Sequence, residues 1–203
     1  MKLVGSRATN EFDIFSDWDF HIDSEQDFEQ IASRLTEAVA WSIVKRGNLC
    51  IVTVIDPSGT MWDFSGNYEQ HRSGWERLGT PSPQDRPVYD YWILALKNLK
   101  GMYRGFNEFV SVGIEMSTGL ARDIYLGRQY GLYNFKNFYA YKQIAHIVEA
   151  DDRLSQVTGL VYTTAAEKLT KLQKLNELVL DVSTDVSARA DHVFQLRVGD
   201  LEL

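Results

Sequence analysis

Gly5-Ser6-Arg7-Ala8, followed by Ser16-Asp17-Trp18-Asp19-Phe20-His21-Ile22-Asp23, is the stretch that decides how this chain folds. From Asp17 to Asp23 polar and apolar residues alternate without a break. That is the period of a half-buried strand. It places Asp17, Asp19, His21 and Asp23 on one face and Trp18, Phe20 and Ile22 on the other. Carboxylates at i and i+2 of a strand project side by side. Hard oxygen ligands in that arrangement suit Mg²⁺, which takes carboxylates together with substrate phosphates. Gly5, twelve positions ahead of Asp17, lets the backbone come close to a phosphate group. His21 and Asp23 are expected farther along the exposed face, outside the ligand set.

Working outward, Leu49 to Ile55 is a continuous apolar, β-branched run and reads as a buried strand. Asp56-Pro57-Ser58-Gly59 supplies turn chemistry for a hairpin. Thr60-Met61-Trp62-Asp63-Phe64 is then the return strand, with Asp63 between two large apolar residues and within reach of Asp17 and Asp19. Three acids converging without a cation would repel one another, so their convergence itself argues for metal.

These motifs resemble the signature of the DNA polymerase β-like nucleotidyltransferase superfamily. There a glycine-serine turn precedes a Ser-Asp-x-Asp-hydrophobic strand by about this interval, and a third carboxylate lies on an adjacent strand. By pattern the chain is most similar to small adenylyltransferases of the aminoglycoside-modifying type, over about its first third. The resemblance implies a Mg²⁺-dependent transfer of a nucleoside monophosphate, AMP in the first instance, from ATP or another nucleoside triphosphate to an acceptor hydroxyl, with release of pyrophosphate. It implies two Mg²⁺ ions held by Asp17 and Asp19, with Asp63 on the ion that activates the acceptor. Gly5 and Ser6 would bind the β- and γ-phosphates, with Arg7 and Ser16 beside them. Relatives often supply a carboxylate base from a helical C-terminal part. Here Tyr103-Arg104-Gly105 followed by Glu108 and Glu115 is similar to that segment, and Glu108 is the candidate. Two glutamates at i, i+7 are equally what a solvated helix face carries, and Asp63 is the alternative base.

Two departures from the pattern bear on packing. Thr9-Asn10 stands where relatives carry a further glycine, and asparagine tolerates positive φ. Only four residues precede Gly5, too few for the helix relatives place ahead of the first strand. Either a later helix covers that face or the first strand is exposed. The acceptor is left open between a small molecule such as an aminoglycoside and a protein or RNA, as in a toxin-type enzyme. The rival outside enzymology is a nucleotide-binding regulatory module that kept the fold.

With 203 residues, 44% of them hydrophobic, the chain can bury a substantial core. The single cysteine, Cys50, lies in an apolar strand and is expected to pack rather than react. With no secretory leader pattern and no apolar stretch of spanning length, the expected location is the cytoplasm, away from membranes. The net charge of −7 is unevenly spread. Residues 1–66 carry 5 basic and 11 acidic side chains, against 10 and 8 in 67–150 and 6 and 9 in 151–203. The acidic first third fits a cation site. No basic tract forms a nucleic-acid platform, so a long nucleic acid is not expected as substrate.

The expected fold is α+β: a small mixed nucleotidyltransferase sheet with a helix across it, then a C-terminal helical bundle. The sheet would use strands near 2–4, 17–23, 49–55 and 60–65. Phe28, Ile31, Leu35, Val39 and Ile43 recur at helical steps, with Ser24 or Asp23 as N-cap and Gly47 near the end. The expected units are a core over 1–66, a linker loop over 67–88 and a helical domain over 89–203. Within the linker, His71, Arg72, Trp75 and Arg77 either cover the nucleotide or are solvated, and solvation is the expectation. Helices are expected from Asp90 to about Gly101–Gly105, Asn107 to about Gly127, Asn134 to Ala150 and Leu160 to Leu180. The aromatic group Tyr130, Tyr133, Phe135, Phe138, Tyr139 and Tyr141 is expected in core or interface. Residues 181–203 give no preference between strand and helix.

Overall fold

A computed structural model describes residues 1–133 and 138–201 of the chain. It is an α+β fold built on one five-stranded sheet. The strands are β1 (Lys2–Val4), β2 (Trp18–His21), β3 (Ala40–Arg46), β4 (Leu49–Ile55) and β5 (Met61–Asn67), in spatial order β1-β2-β5-β4-β3. Only β2 and β5 run parallel. Parallel neighbours need a long crossover, and the excursion through β3 and β4 supplies it.

The sheet has two differently dressed faces. Ile22, Cys50, Val52, Val54 and Phe64 lie on one, under α2 (Asp27–Glu37) and α3 (Arg72–Leu78), with Phe28, Ile31 and Trp75 buried against them. On the same face Trp18 stacks on Trp62 at 5.5 Å and Phe20 on Phe64 at 5.8 Å. This ladder gathers the apolar residues that alternate with the acids along β2 and β5.

The opposite face receives the helical part. α4 (Arg86–Tyr103) has Pro87 in its first turn, where its missing N–H costs nothing. It buries Val88, Tyr91, Trp92, Ala95, Leu96 and Leu99 in a core shared with Val39, Ala40, Ile55 and Met61 of the sheet. Around it pack α5 (Asn107–Tyr130), α7 (Asp152–Thr158), α8 (Ala165–Val182) and α9 (Thr184–Val198). α6 (Phe138–Ala150) precedes α7 in the chain. α8 starts with a full capping box between Thr164 and Glu167. Inside the bundle, Tyr91 donates to Asn176 at 2.6 Å and Trp92 to Ser187 at 2.9 Å, so both buried aromatic donors are satisfied. Lys171, buried on α8, donates to the carbonyls of Val157, Thr158 and Leu160 and so caps α7.

Several expectations need correction. The helix read from Phe28 to Ile43 stops at Glu37, and Val39 and Ile43 belong to the approach to and body of β3. Residues 40–46 pair in unbroken register with β4 through the turn at Gly47-Asn48, and that pairing overrides the helical spacing. Gly47, at φ +60°, therefore serves a hairpin rather than a helix end. The N-terminal turn of α2 is anchored by Asp27, whose Oδ2 accepts from the amides of Asp23 and Ser24.

The stretch 67–88 is not a bare loop. Trp75 needs burial and finds it edge-on against Phe28 at 5.0 Å, which fixes α3 to α2. Residues 184–198 are helical. Tyr130 donates to Asp151 and Tyr133 is exposed. Phe135 and the side chains of Phe138, Tyr139 and Tyr141 lie outside the described residues.

Candidate metal centre

The alternation of β2 puts Asp17 and Asp19 on the face that α4 crosses. Parallel pairing sets Asp19 directly opposite Asp63, and antiparallel pairing sets Asp63 opposite Thr53. One polar row thus crosses the sheet: Asp19, Asp63, Thr53 and, on β3, Ser42. Asp17, Asp19 and Asp63 each bring a carboxylate oxygen within 4.8 Å of the other two. Asp17 is 8% exposed, and its Oδ1 is buried with no hydrogen-bond partner. A buried carboxylate oxygen left unpaired is costly, and a cation is the chemistry that would satisfy it. The set of hard anionic oxygens fits Mg²⁺.

The electrostatics agree. Burial, reinforced by the neighbouring charges of Asp17 and Asp63, pushes the Asp19 carboxyl above the ordinary aspartate range, against the pull of Lys100 and Lys97. Asp63 accepts a hydrogen bond from the buried Thr53 hydroxyl, which fixes its orientation. Gly5, at φ +71°, lies so close that a Cβ there would stand 2.3 Å from Asp19 Oδ2. A glycine is required at that position on both counts.

α4 supplies the cations. Its apolar stripe is interrupted by Asp90, Lys97 and Lys100 at spacings of seven and three, which share a helix face, and Arg104 follows four residues on as the C-cap. Lys100 Nζ is 2.5 Å from Asp17 Oδ2, and Lys97 Nζ is 4.0 Å from Asp63 Oδ2. Farther back, burial raises the Asp90 carboxyl above its usual range, against Arg86 and a hydrogen bond with Ser42. Arg104 clamps the segment leading into β2, with Nε to Asp13 Oδ2 at 2.7 Å and Nη2 to Ser16 Oγ at 2.9 Å. From α9, Arg197 donates to the Ile14 carbonyl and lies over the Phe15 ring at 4.3 Å. The entry to the acidic strand is therefore held from two helices.

The remaining expected site residues divide. Gly5 and Ser6 open α1 (Gly5–Ala8) beside Asp19. Arg7 gives Nε and Nη2 to the Ser16 carbonyl at 3.1 and 2.9 Å and lies over Phe12 and Trp18. The Ser16 hydroxyl is engaged with Asp13 and Arg104. Both side chains thus have internal partners. Glu108 is exposed in the first turn of α5 and is not among the converging carboxylates. Glu115 accepts from Tyr162 at 2.7 Å. His71 pairs with Glu25, as does Arg77, and Arg72 pairs with Glu69, so these side chains belong to the α2–α3 side of the sheet. Sequence reading missed Lys97, Lys100 and Thr53. The signal for the lysines was two cations, three residues apart, following the apolar run from Tyr91 to Leu96.

No protein-family model matches the chain, and no curated protein matches it. Among solved structures it is similar to an aminoglycoside 6-adenyltransferase from Bacillus subtilis at 11% identity, over 90% of this chain and 88% of that one, with a TM-score of 0.45. That is a distant likeness of fold. Among the described residues no helix is long and apolar enough to cross a membrane.

Proposed function

We propose that the chain is a Mg²⁺-dependent nucleotidyltransferase that moves a nucleoside monophosphate, AMP in the first instance, from a nucleoside triphosphate to an acceptor hydroxyl and releases pyrophosphate. The observation that carries this reading is the convergence of Asp17, Asp19 and Asp63 from two parallel strands onto one point, with an unpartnered buried oxygen among them. Asp17, Asp19 and Asp63 are the residues that would hold the metal, with Asp63 serving the acceptor. Bound there, magnesium would offset the triphosphate charge and lower the acceptor hydroxyl's pKa.

The chain's own groups do the rest. Backbone amides at Gly5-Ser6 and the Ser6 hydroxyl bind the β- and γ-phosphates, and the glycine keeps that backbone against Asp19. Lys100 beside Asp17 is the cation available to offset the negative charge of the departing pyrophosphate, and Lys97 lies beside Asp63 on the acceptor side. Thr53 holds Asp63 oriented for the proton of the attacking hydroxyl. Arg7, Ser16 and Arg104 fix the entry to β2. Glu108, exposed and outside the acidic group, is a weaker base candidate than Asp63.

The test is to incubate the protein with each α-labelled nucleoside triphosphate and Mg²⁺ and to follow pyrophosphate release and label transfer. Asp17→Asn and Asp63→Asn should each abolish both. Wild-type rates in either variant would sink the mechanism. Nucleotide-dependent thermal stabilisation without any pyrophosphate release would favour a binding module instead.

A further inference from the structure

Asp17 divides its two carboxylate oxygens between different surroundings. Oδ2 accepts from Lys100 Nζ at 2.5 Å, and Oδ1 is buried with no hydrogen-bond partner. Lys100 is divided in the same way. Its ammonium carries three rotatable donors on a flexible stem, and among the described residues the bond to Asp17 is the one it makes. The pair therefore offers an oxygen to a cation from one member and N–H groups to an anion from the other.

The other cations near the site are committed elsewhere. Arg7 donates twice to the Ser16 carbonyl, Arg197 to the Ile14 carbonyl, and Arg104 to Asp13 and Ser16. Lys97 Nζ stands 4.0 Å from Asp63 Oδ2, beyond hydrogen-bond range. Among the described residues, Lys100 is thus the cation hydrogen-bonded to a member of the acidic group. Asp19 links it to the phosphate side of the site. The charge of Lys100 reaches Asp19, and Asp19 Oδ2 lies against Gly5.

The charge count decides what this lysine does to a divalent ion. Asp17, Asp19 and Asp63 bring three negative charges and Lys97 and Lys100 return two positive ones, so the group keeps one net negative charge. A free divalent cation meets only that weak attraction, and on Asp17 it shares one carboxylate with an ammonium. Like charges that close oppose each other even in a water-like medium. Without Lys100 the net negative charge of the group doubles. A triphosphate meets the opposite field. Its oxygens accept from the spare donors of Lys100 in charge-assisted bonds, and the same ammonium that opposes the metal attracts the nucleotide.

Resting on the nucleotidyltransferase reading above, we propose that Lys100 makes the metal centre dependent on nucleotide: it weakens binding of a free divalent ion and favours binding of the ion together with a triphosphate. The coupling is reciprocal, so whatever factor the triphosphate adds to metal affinity the metal adds to triphosphate affinity. A lysine that only held Asp17 in place would act with the other sign. Its loss would leave a buried carboxylate misplaced, and metal binding would fall.

The test titrates the full chain with Mn²⁺ in place of Mg²⁺ and follows free Mn²⁺ by electron paramagnetic resonance, with and without a non-hydrolysable ATP analogue. Wild type is compared with Lys100→Met and Lys100→Gln, each checked for fold by circular dichroism. Lys100→Gln keeps a donor for Asp17 without the charge, and it decides the matter if Lys100→Met does not fold. Both substitutions should tighten Mn²⁺ binding to the protein alone by about tenfold, and should shrink the coupling between Mn²⁺ and analogue by about the same factor. Mn²⁺ binding to the protein alone that is unchanged or weaker overturns the role of Lys100 and leaves the metal centre intact. Tighter binding with the coupling unchanged overturns its engagement with the triphosphate, as does a wild type that binds Mn²⁺ equally with and without the analogue. A wild type that binds Mn²⁺ under neither condition overturns the transferase reading, and this proposal with it.

Discussion

Replacing Asp19 with asparagine should make the metal-free protein more stable while removing its activity. The three carboxylates offer oxygens within 4.8 Å of one another. Two unit charges at that separation repel by about 1 kcal/mol in a water-like medium and about 3.5 kcal/mol at an effective dielectric of 20. Asp19 is half-buried, so solvent screening favours the lower figure. The substitution removes two such repulsions and also the attraction to Lys100 and Lys97, leaving a net gain of about 1–2 kcal/mol. For a chain of this size that is a rise in Tm of about 2–8 °C.

The sign with pH follows from the raised Asp19 pKa. Its folded value lies above its unfolded value, so the ionised form costs stability. That cost is absent below the ordinary aspartate range and grows as pH rises through the folded pKa. Thermal unfolding in EDTA should therefore separate Asp19→Asn from wild type at pH 7 and bring them together near the acid end. Added Mg²⁺ should raise the wild-type Tm and leave the variant unmoved. A variant less stable than wild type in EDTA at pH 7, or one stabilised by Mg²⁺ to the same degree, would refute the reasoning.

Three further substitutions probe the supports of the site. Gly5→Ala forces a Cβ into Asp19 at a positive φ and should cost about 1–2 kcal/mol in urea unfolding, with transfer lost; unchanged activity would show that the close approach is dispensable. Thr53→Val removes the hydroxyl that orients Asp63 and should weaken Mg²⁺ dependence of the rate by about 10–100-fold, measured as a shift in the metal titration midpoint with the fold intact by circular dichroism. Arg104→Met breaks the fork to Asp13 and Ser16 and should cost about 1–3 kcal/mol. The Arg104 hydrogen bond holds the Asp13 carboxyl below its usual range, so this stability is present above the unfolded pKa and lost as pH falls through the folded one. The acid-unfolding midpoint of Arg104→Met should consequently move to higher pH; a midpoint that stays put removes Arg104 as the clamp.

Much of the sheet was legible because its code is local. The alternation of Asp17 to Ile22 fixes two faces, and the Asp56–Gly59 turn sets Asp63 opposite Thr53 by local pairing, while its place beside Asp19 comes from the long-range parallel pairing of β2 with β5. β3 was hidden because Val39 and Ile43 happen to continue the spacing of Phe28, Ile31 and Leu35. What makes 40–46 a strand is its partner β4, a tertiary fact. α3 was hidden because His71, Arg72 and Arg77 are polar, and its one buried anchor, Trp75, finds its socket on α2. For the site, the three acids could be read from motif and interval. The lysines could not, because 83 residues separate Lys100 from Asp17, and only the passage of α4 over the sheet brings them together.

The most direct test of the central claim is to crystallise the chain with Mn²⁺ and a non-hydrolysable ATP analogue and collect anomalous data. Manganese peaks should appear at bonding distance from carboxylate oxygens of Asp17, Asp19 and Asp63, with the analogue's phosphates against Gly5-Ser6. Manganese and nucleotide bound elsewhere, with the three carboxylates left to Lys100, Lys97 and water, would contradict it.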